Sequence, residues 1–241
     1  MEMEKKKNIE LRNMLIGFGV IFLYLIASAM PYDVLGWFGI NYNNLNLILR
    51  QIYLISYEVL LTLLIIYIYK KDFIPNFKDF IKNIITYIKK YIKYWFIMLG
   101  LMTLSNVIIT FFTTTEVSQN QESIVNTLYY APIYTFILTV FIAPILEELV
   151  FRLSFRKIFA HTNFLFIFFS GLFFGGMHVL GSLNNLIDLL FIIPYSIPGF
   201  MFAYLYSKSK NIFVPISLHF MHNTIMMILQ LLLIFLTQKG A

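Results

Sequence analysis

The chain predicts an all-α fold, a polytopic membrane helical bundle of about seven transmembrane helices plus an amphipathic interfacial helix. Three observations carry this. Hydrophobic residues make up 59% of the 241 and charged residues 12%, with a mean hydropathy of +0.77, far from a soluble domain's balance. Apolar runs close to the roughly 20 residues needed to span a bilayer recur along the chain. The basic residues behind the net charge of +6 lie mainly between those runs, where they set topology and do not signal nucleic-acid binding. The absence of cysteine excludes disulfides, thiolate metal sites and a cysteine nucleophile.

The runs are, in order, Met14–Met30, Leu47–Tyr69, Tyr94–Thr113, Leu128–Phe159 with Pro144 inside, Phe164–Leu180, Leu186–Tyr206 and Ile212–Leu236. The first follows Lys5-Lys6-Lys7 and ends near Ala27-Ser28-Ala29, the look of a signal peptide. Its apolar stretch is long for one, so it is expected as a retained anchor. After the second run, Phe77, Phe80, Ile81, Ile84, Ile85, Ile88, Tyr91 and Ile92 recur at helical spacing, with Lys78, Lys82, Lys89 and Lys93 on the other side. This reads as a helix on the cytoplasmic membrane surface; the alternative is a lysine-rich extension of the third span. With no repeat or soluble segment, one membrane domain is expected. Residues 1–127 form its N-terminal helices and amphipathic helix, and residues 128–237 its core.

Loop charges predict orientation. Lys70–Lys93 carries seven lysines and two aspartates, whereas Pro31–Asn46 and Thr114–Asn126 have no Lys or Arg, the latter holding Glu116 and Glu122. Lysine-rich loops stay in the cytoplasm. The N-terminus, Lys70–Lys93, Arg152–Lys157 and Lys208–Lys210 then fall inside without conflict, and the tail Gln238–Ala241 falls outside. The expected location is the cell membrane.

Within the fourth run, Glu147 and Glu148 are followed by Arg152. Ionisable groups at membrane depth are costly and usually serve chemistry or transport. Four residues apart on a helix, Glu148 and Arg152 share a face and can pair. Glu147 points away from Arg152 and is left free, as a working carboxylate would be. His178 lies in the fifth run; His219 and Asn223, four apart, lie on one face of the seventh. Counted from the helix ends at 1.5 Å per residue, Glu147, His178 and Asn223 sit about 20, 22 and 18 Å deep and His219 about 12 Å. Groups scattered over the sequence can therefore meet in one layer.

Glu-Glu-x-x-x-Arg at Glu147–Arg152, Phe-x-x-x-His at Phe174–His178 and His-x-x-x-Asn at His219–Asn223, in this order, resemble the CPBP intramembrane proteases. This is also called the Abi or CAAX-protease family, and it includes the type II CAAX prenyl endopeptidase. The resemblance covers roughly Tyr129–Leu236. It implies an endopeptidase, a hydrolase acting on a membrane-bound peptide or protein. Glu147 would be the general base, deprotonating a water held with His178, and His219 and Asn223 would donate hydrogen bonds to the oxyanion. Glu148 and Arg152 would form a structural pair. Water must reach this depth, so a cavity opening to the cytoplasm is expected. Gly175 and Gly176 would permit close helix packing or substrate backbone approach.

The family is called metalloprotease, yet no His-Glu-x-x-His motif occurs. Glu147, His178 and His219 could supply three zinc ligands, and a metal-free glutamate mechanism uses the same residues. The reading taken here is that no cofactor is needed. Relatives point to peptide-pheromone or bacteriocin maturation, or to immunity. Two other classes remain: a non-catalytic membrane scaffold of the same fold, and a proton-coupled transporter, for which no inverted repeat speaks.

Other polar residues receive structural readings. His222 is expected in helix packing or lining a cavity, and His161 at the interface. Arg50 is expected near the outer end of its span, snorkelling. Glu58 is open between a gate, a partner contact and a buried acid. Asp188 suits a helix start, and Pro194 and Pro198 are expected to kink the sixth helix.

Overall fold

A computed structural model describes residues 2–113 and 118–239. Glu116 of the acidic loop and the last residues of the tail expected outside fall beyond the described residues. The described chain is a helical bundle without strands, and seven of its helices are long and apolar enough to cross a membrane. We label the helices α1 (Glu2–Ala29), α2 (Pro31–Trp37), α3 (Leu47–Ile68), α4 (Lys70–Thr113), α5 (Gln119–Tyr130), α6 (Pro132–Ile158), α7 (Asn163–Leu180), α8 (Leu186–Ser209) and α9 (Phe213–Lys239). This is a multi-pass membrane protein.

Three sequence readings change. The amphipathic stretch after α3 is divided: α4, Lys70 to Thr113, is two helices that meet at a kink at Asn83 (φ −119°, ψ 16°), the first holding Phe77, Phe80 and Ile81 and the second continuing as the third span. There the Asn83 side chain donates to the backbone O and to Oδ1 of Asp79, at 3.1 and 2.9 Å. Local side-chain bonds of this kind compete with the helical ladder. The lysine-rich extension of the third span is therefore the correct description from Ile84 onward. The fourth run is two helices, because Ala131 (φ −145°, ψ 61°) leaves the helical region before Pro132, as residues preceding proline are driven to do. Pro194 falls in the first turn of the α-helical part of α8, where a missing N–H costs little.

Burial sorts the helices. The apolar windows of α6 and α8 are 44% buried and that of α7 39%, against 11% for α1, α4 and α9. The centre of the bundle is thus α6–α8, and the others turn broad apolar faces outward, as lipid-facing helices must. Helix α1 nevertheless joins the core: Val20 and Ile21 pack in one cluster with Leu149, Val150 and Phe151. The bent start of α4 is tied to the α8–α9 turn. Asn211 donates to Asn76 O (2.9 Å) and Asp79 Oδ2 (2.7 Å), while Asn76 Oδ1 accepts from Ile212 N (2.8 Å).

Helices α7 and α8 approach closely at glycines. A Cβ on Gly175 would stand 2.1 Å from Ser196 Oγ and 2.7 Å from Ser196 N, and one on Gly199 would stand 2.7 Å from Gly171 O. Gly175 is therefore a packing glycine, whereas a Cβ on Gly176 would meet nothing nearer than Leu180 at 3.6 Å. Small residues let membrane helices pack backbone to backbone. Gly175→Ala should lower the thermal midpoint in detergent, by an overpacking cost of about 1–3 kcal/mol, while Gly176→Ala leaves it near wild type. Equal midpoints for the two variants would refute this packing account.

Candidate active site

The site is built on an irregular helix. In α6, residues Ile137–Ile142 and Leu149–Ser154 are π-helical and bracket the α-helical turn Ala143–Glu148. Pro144 supplies a local reason for the first wide segment: it has no N–H to give the preceding turn, and its ring would clash with a carbonyl held in tight α geometry. The widened backbone is engaged from α9, where Asn223 Nδ2 donates to Thr139 O at 2.8 Å. That bond fixes the amide plane of Asn223 and leaves its second N–H uncommitted.

Glu148 and Arg152 are fully buried and bonded in a fork: Nε to Oε2 at 2.8 Å and Nη2 to Oε1 at 3.1 Å. Arg152 Nη1 also donates to Ser170 Oγ (2.8 Å), whose hydroxyl donates to Phe151 O (2.6 Å). The guanidinium lies 5.0 Å from the ring centre of Phe174 and 5.9 Å from that of Phe202. A bidentate pair with further hydrogen bonds is the form in which buried ions are tolerated.

The pair does more than the helical spacing suggested. Glu148 Oε1 also accepts from His219 Nδ1 at 3.0 Å, and His219 Nε2 lies 3.8 Å from Glu147 Oε2. A carboxylate bonded to arginine through both oxygens accepts, so His219 carries a proton on Nδ1. Its other nitrogen faces Glu147 and donates only when the ring is doubly protonated. The imidazole is stacked on Phe202, with centroids 5.0 Å apart.

Glu147 itself is held differently. Its side chain keeps 15% exposure, and Oε2 has no hydrogen-bond partner among the described residues. It borders a cavity of about 750 Å³ whose lining includes His178, His219 and Asn223. All four residues expected to work together thus reach one cavity, whereas Glu148 and Arg152 lie behind its wall. His178 Nδ1 meets Phe174 O at 2.9 Å, which requires N–H there and leaves Nε2 as an acceptor. The His178 ring is sandwiched between Phe174 and Tyr195, at centroid distances of 4.5 and 5.1 Å. Tyr195 Oη in turn bonds Ser118 Oγ (2.8 Å) and Asn120 Nδ2 (3.1 Å).

The cavity lining runs from Glu147 past Tyr195 to Ser118, Asn120 and Gln121, the end of the bundle opposite Lys70–Lys93.

Sequence reasoning missed Ser170, Phe202 and Tyr195, which are ordinary residue types in apolar helices. The remaining polar residues stand as follows. His222 is buried, lines the cavity and has an unpartnered Nδ1. His161 is exposed, with Nε2 3.4 Å from Glu10 Oε2. Arg50 turns back to Leu45 O and Asn43 O at the start of α3. Asp188 accepts from the backbone of Asn184 and Asn185 at the α8 start. Among the described residues no three His, Asp or Glu side chains converge to hold a metal ion. Glu147, His178 and His219 therefore do not fit a three-ligand zinc centre as arranged.

Fold and site together define a helical membrane protein with an internal cavity lined by Glu147, His178, His219 and Asn223. Residues 129–225 match the family described as type II CAAX prenyl endopeptidase, Rce1-like. That segment, less than half of the chain, contains every motif described above and is what this chain shares with that family. The chain is 35% identical over 116 residues to "Putative membrane peptidase YdiL" of Bacillus subtilis, a match covering 47% of this chain and 44% of that one. It is 37% identical over 103 residues to an uncharacterized protein of Mycoplasma capricolum, covering 39% of this chain and 28% of that one. The chain thus spans less than half the length of these curated relatives. No solved structure matches it.

Glu148→Gln would leave the Arg152 charge buried without its full counter-ion and loosen His219. It should lower stability by about 3–5 kcal/mol, the usual cost of breaking a buried pair, read as a fall in thermal midpoint and in membrane abundance. A midpoint equal to wild type would show that Arg152 is held by Ser170 and the aromatic rings instead.

Proposed function

We propose that this protein is an intramembrane endopeptidase of the cell membrane, cleaving a peptide bond in a membrane-associated protein or peptide. The observation that carries the reading is Glu147 itself: it lines a cavity shared with His178, His219 and Asn223, and its buried Oε2 has no hydrogen-bond partner among the described residues. A base must be within reach of the proton it takes and free to take it. In this reading Glu147 accepts a proton from a water that His178 Nε2 helps to hold, and the resulting hydroxide attacks the peptide carbonyl. The oxyanion forms toward α9, where the uncommitted N–H of Asn223 and the doubly protonated form of His219 donate to it. Glu147 then returns its proton to the leaving amine. Glu148 and Arg152 touch no reacting atom; they position His219. The family resemblance and the membrane-peptidase description of the Bacillus relative support the class, and roles in peptide maturation or bacteriocin immunity follow from the family alone.

Comparing peptides cleaved in cells with wild-type protein and with Glu147→Gln tests this directly. The variant should accumulate normally and lose cleavage altogether, since glutamine keeps the shape and loses the base. Asn223→Ala should be slowed about 10²–10³-fold, the usual loss for one oxyanion donor, and chelators should leave the purified wild type active. Full activity in purified Glu147→Gln would eliminate the assignment; one tightly bound zinc per chain, lost in His178→Ala and restored with activity on zinc addition, would replace the metal-free mechanism.

The proposed orientation puts the N-terminus and Lys70–Lys93 in the cytoplasm and the cavity mouth outside. The chain has no cysteine, so single cysteines are clean reporters. In intact cells an impermeant thiol reagent should label Gln121→Cys and spare Lys78→Cys. The reverse labelling pattern would invert the topology and move the mouth to the cytoplasm.

A further inference from the structure

Glu58, left open by the sequence, lines the same cavity as Glu147. It sits in the middle of α3, which packs on the first π-helical segment of α6. Its side chain is half-buried, and among the described residues no hydrogen bond or ion pair engages its carboxylate, although its backbone carbonyl accepts from Thr62 Oγ1 at 2.7 Å. Glu147 at least has His219 Nε2 at 3.8 Å; Glu58 has no such neighbour.

The rest of the lining sharpens the point. Among the described residues no lysine or arginine lines the cavity, and its lining includes the uncharged side chains of Asn106, Ser118, Asn120 and Gln121. Two carboxylates therefore face a space of about 750 Å³ that contains no fixed permanent cation. A carboxylate at membrane depth is costly unless paired, and two in one cavity oppose each other's ionisation. A cation entering the cavity relieves both costs, and an entering acidic group adds to them. The cavity is thus electrostatically selective before any contact is made.

Resting on the endopeptidase reading, we propose that Glu58 is a specificity-determining residue that binds a cationic side chain, lysine or arginine, of the substrate peptide while the scissile bond lies at Glu147. The substrate class is then a basic peptide segment reaching the cavity from the Ser118–Gln121 end.

The test uses the full chain in proteoliposomes and quenched fluorescent peptides in which one position at a time holds lysine or norleucine, its uncharged near-isostere. In the wild type one position relative to the cleaved bond should favour lysine by about tenfold or more in kcat/KM, as expected for a charge pair partly shielded from water. In Glu58→Gln that ratio should fall to about one, and in Glu58→Lys glutamate should become preferred at the same position. Binding of the labelled lysine and norleucine peptides to Glu147→Gln protein should show the same preference without turnover, and adding Glu58→Asp, which retracts the charge by one methylene, should weaken it. If the wild type cleaves peptides with no such position, or if Glu58→Gln keeps the ratio, the cation subsite is refuted and the endopeptidase reading stands. If the wild type cleaves no peptide at all, the endopeptidase reading falls and this inference with it.

Discussion

The rest of the site hangs on one buried ion pair. Arg152 has no contact with water, so its charge survives only because Glu148 meets it with both oxygens and Ser170 takes a third N–H. That arrangement ties α6 to α7, since Ser170 lies on α7. Glu148 carries the constraint into α9 by accepting from His219 Nδ1. Three helices are thus clamped around one carboxylate, at a depth where water offers no substitute for any of the bonds. The pair is less a stabiliser in its own right than a device that costs too much to break.

What the clamp leaves undone is as informative as what it holds. Adjacent residues on one helix take opposite fates: Glu148 turns inward and saturates its oxygens, and Glu147 turns to the cavity and keeps Oε2 free. Successive positions on a helix differ by about 100°, so a neighbouring pair of identical side chains is a simple way to obtain one structural and one working carboxylate. The π-helical segments on either side are the kind of irregularity that recurs at functional sites, and here one of them presents Thr139 O to Asn223.

The close approach of α7 and α8 at Gly175 shapes the cavity indirectly. It brings Tyr195 against His178, and Tyr195 reaches Ser118 and Asn120 at the start of α5. The histidine is thereby joined to α5 through one tyrosine. Ser118, Asn120 and Gln121 follow the far end of α4, and the lysines crowd its start. Among the described residues the cavity lining holds Glu58 and Glu147 and no lysine, while the lysines of α4 lie toward its start, so charge is unevenly distributed along the bundle.

By itself the sequence determined the number of spans, the lysine asymmetry, the Glu148–Arg152 pairing and the common depth of Glu147, His178 and Asn223. Each follows from a local rule of spacing, length or charge that holds whatever the neighbours are. It did not determine that α4 runs unbroken from Ile84, because an amphipathic stripe at helical period looks the same on a surface helix and on an extended span. Nor did it determine which other side chains share the cavity, since depth along a helix fixes a layer and not the neighbours within it. The link from Glu148 to His219, the π-helical turns around the glutamates and the place of Glu58 beside Glu147 came only from tertiary structure. Each depends on how separate helices rotate against one another, and that rotation is set by packing at residues such as Gly175, not by the pattern along any one helix.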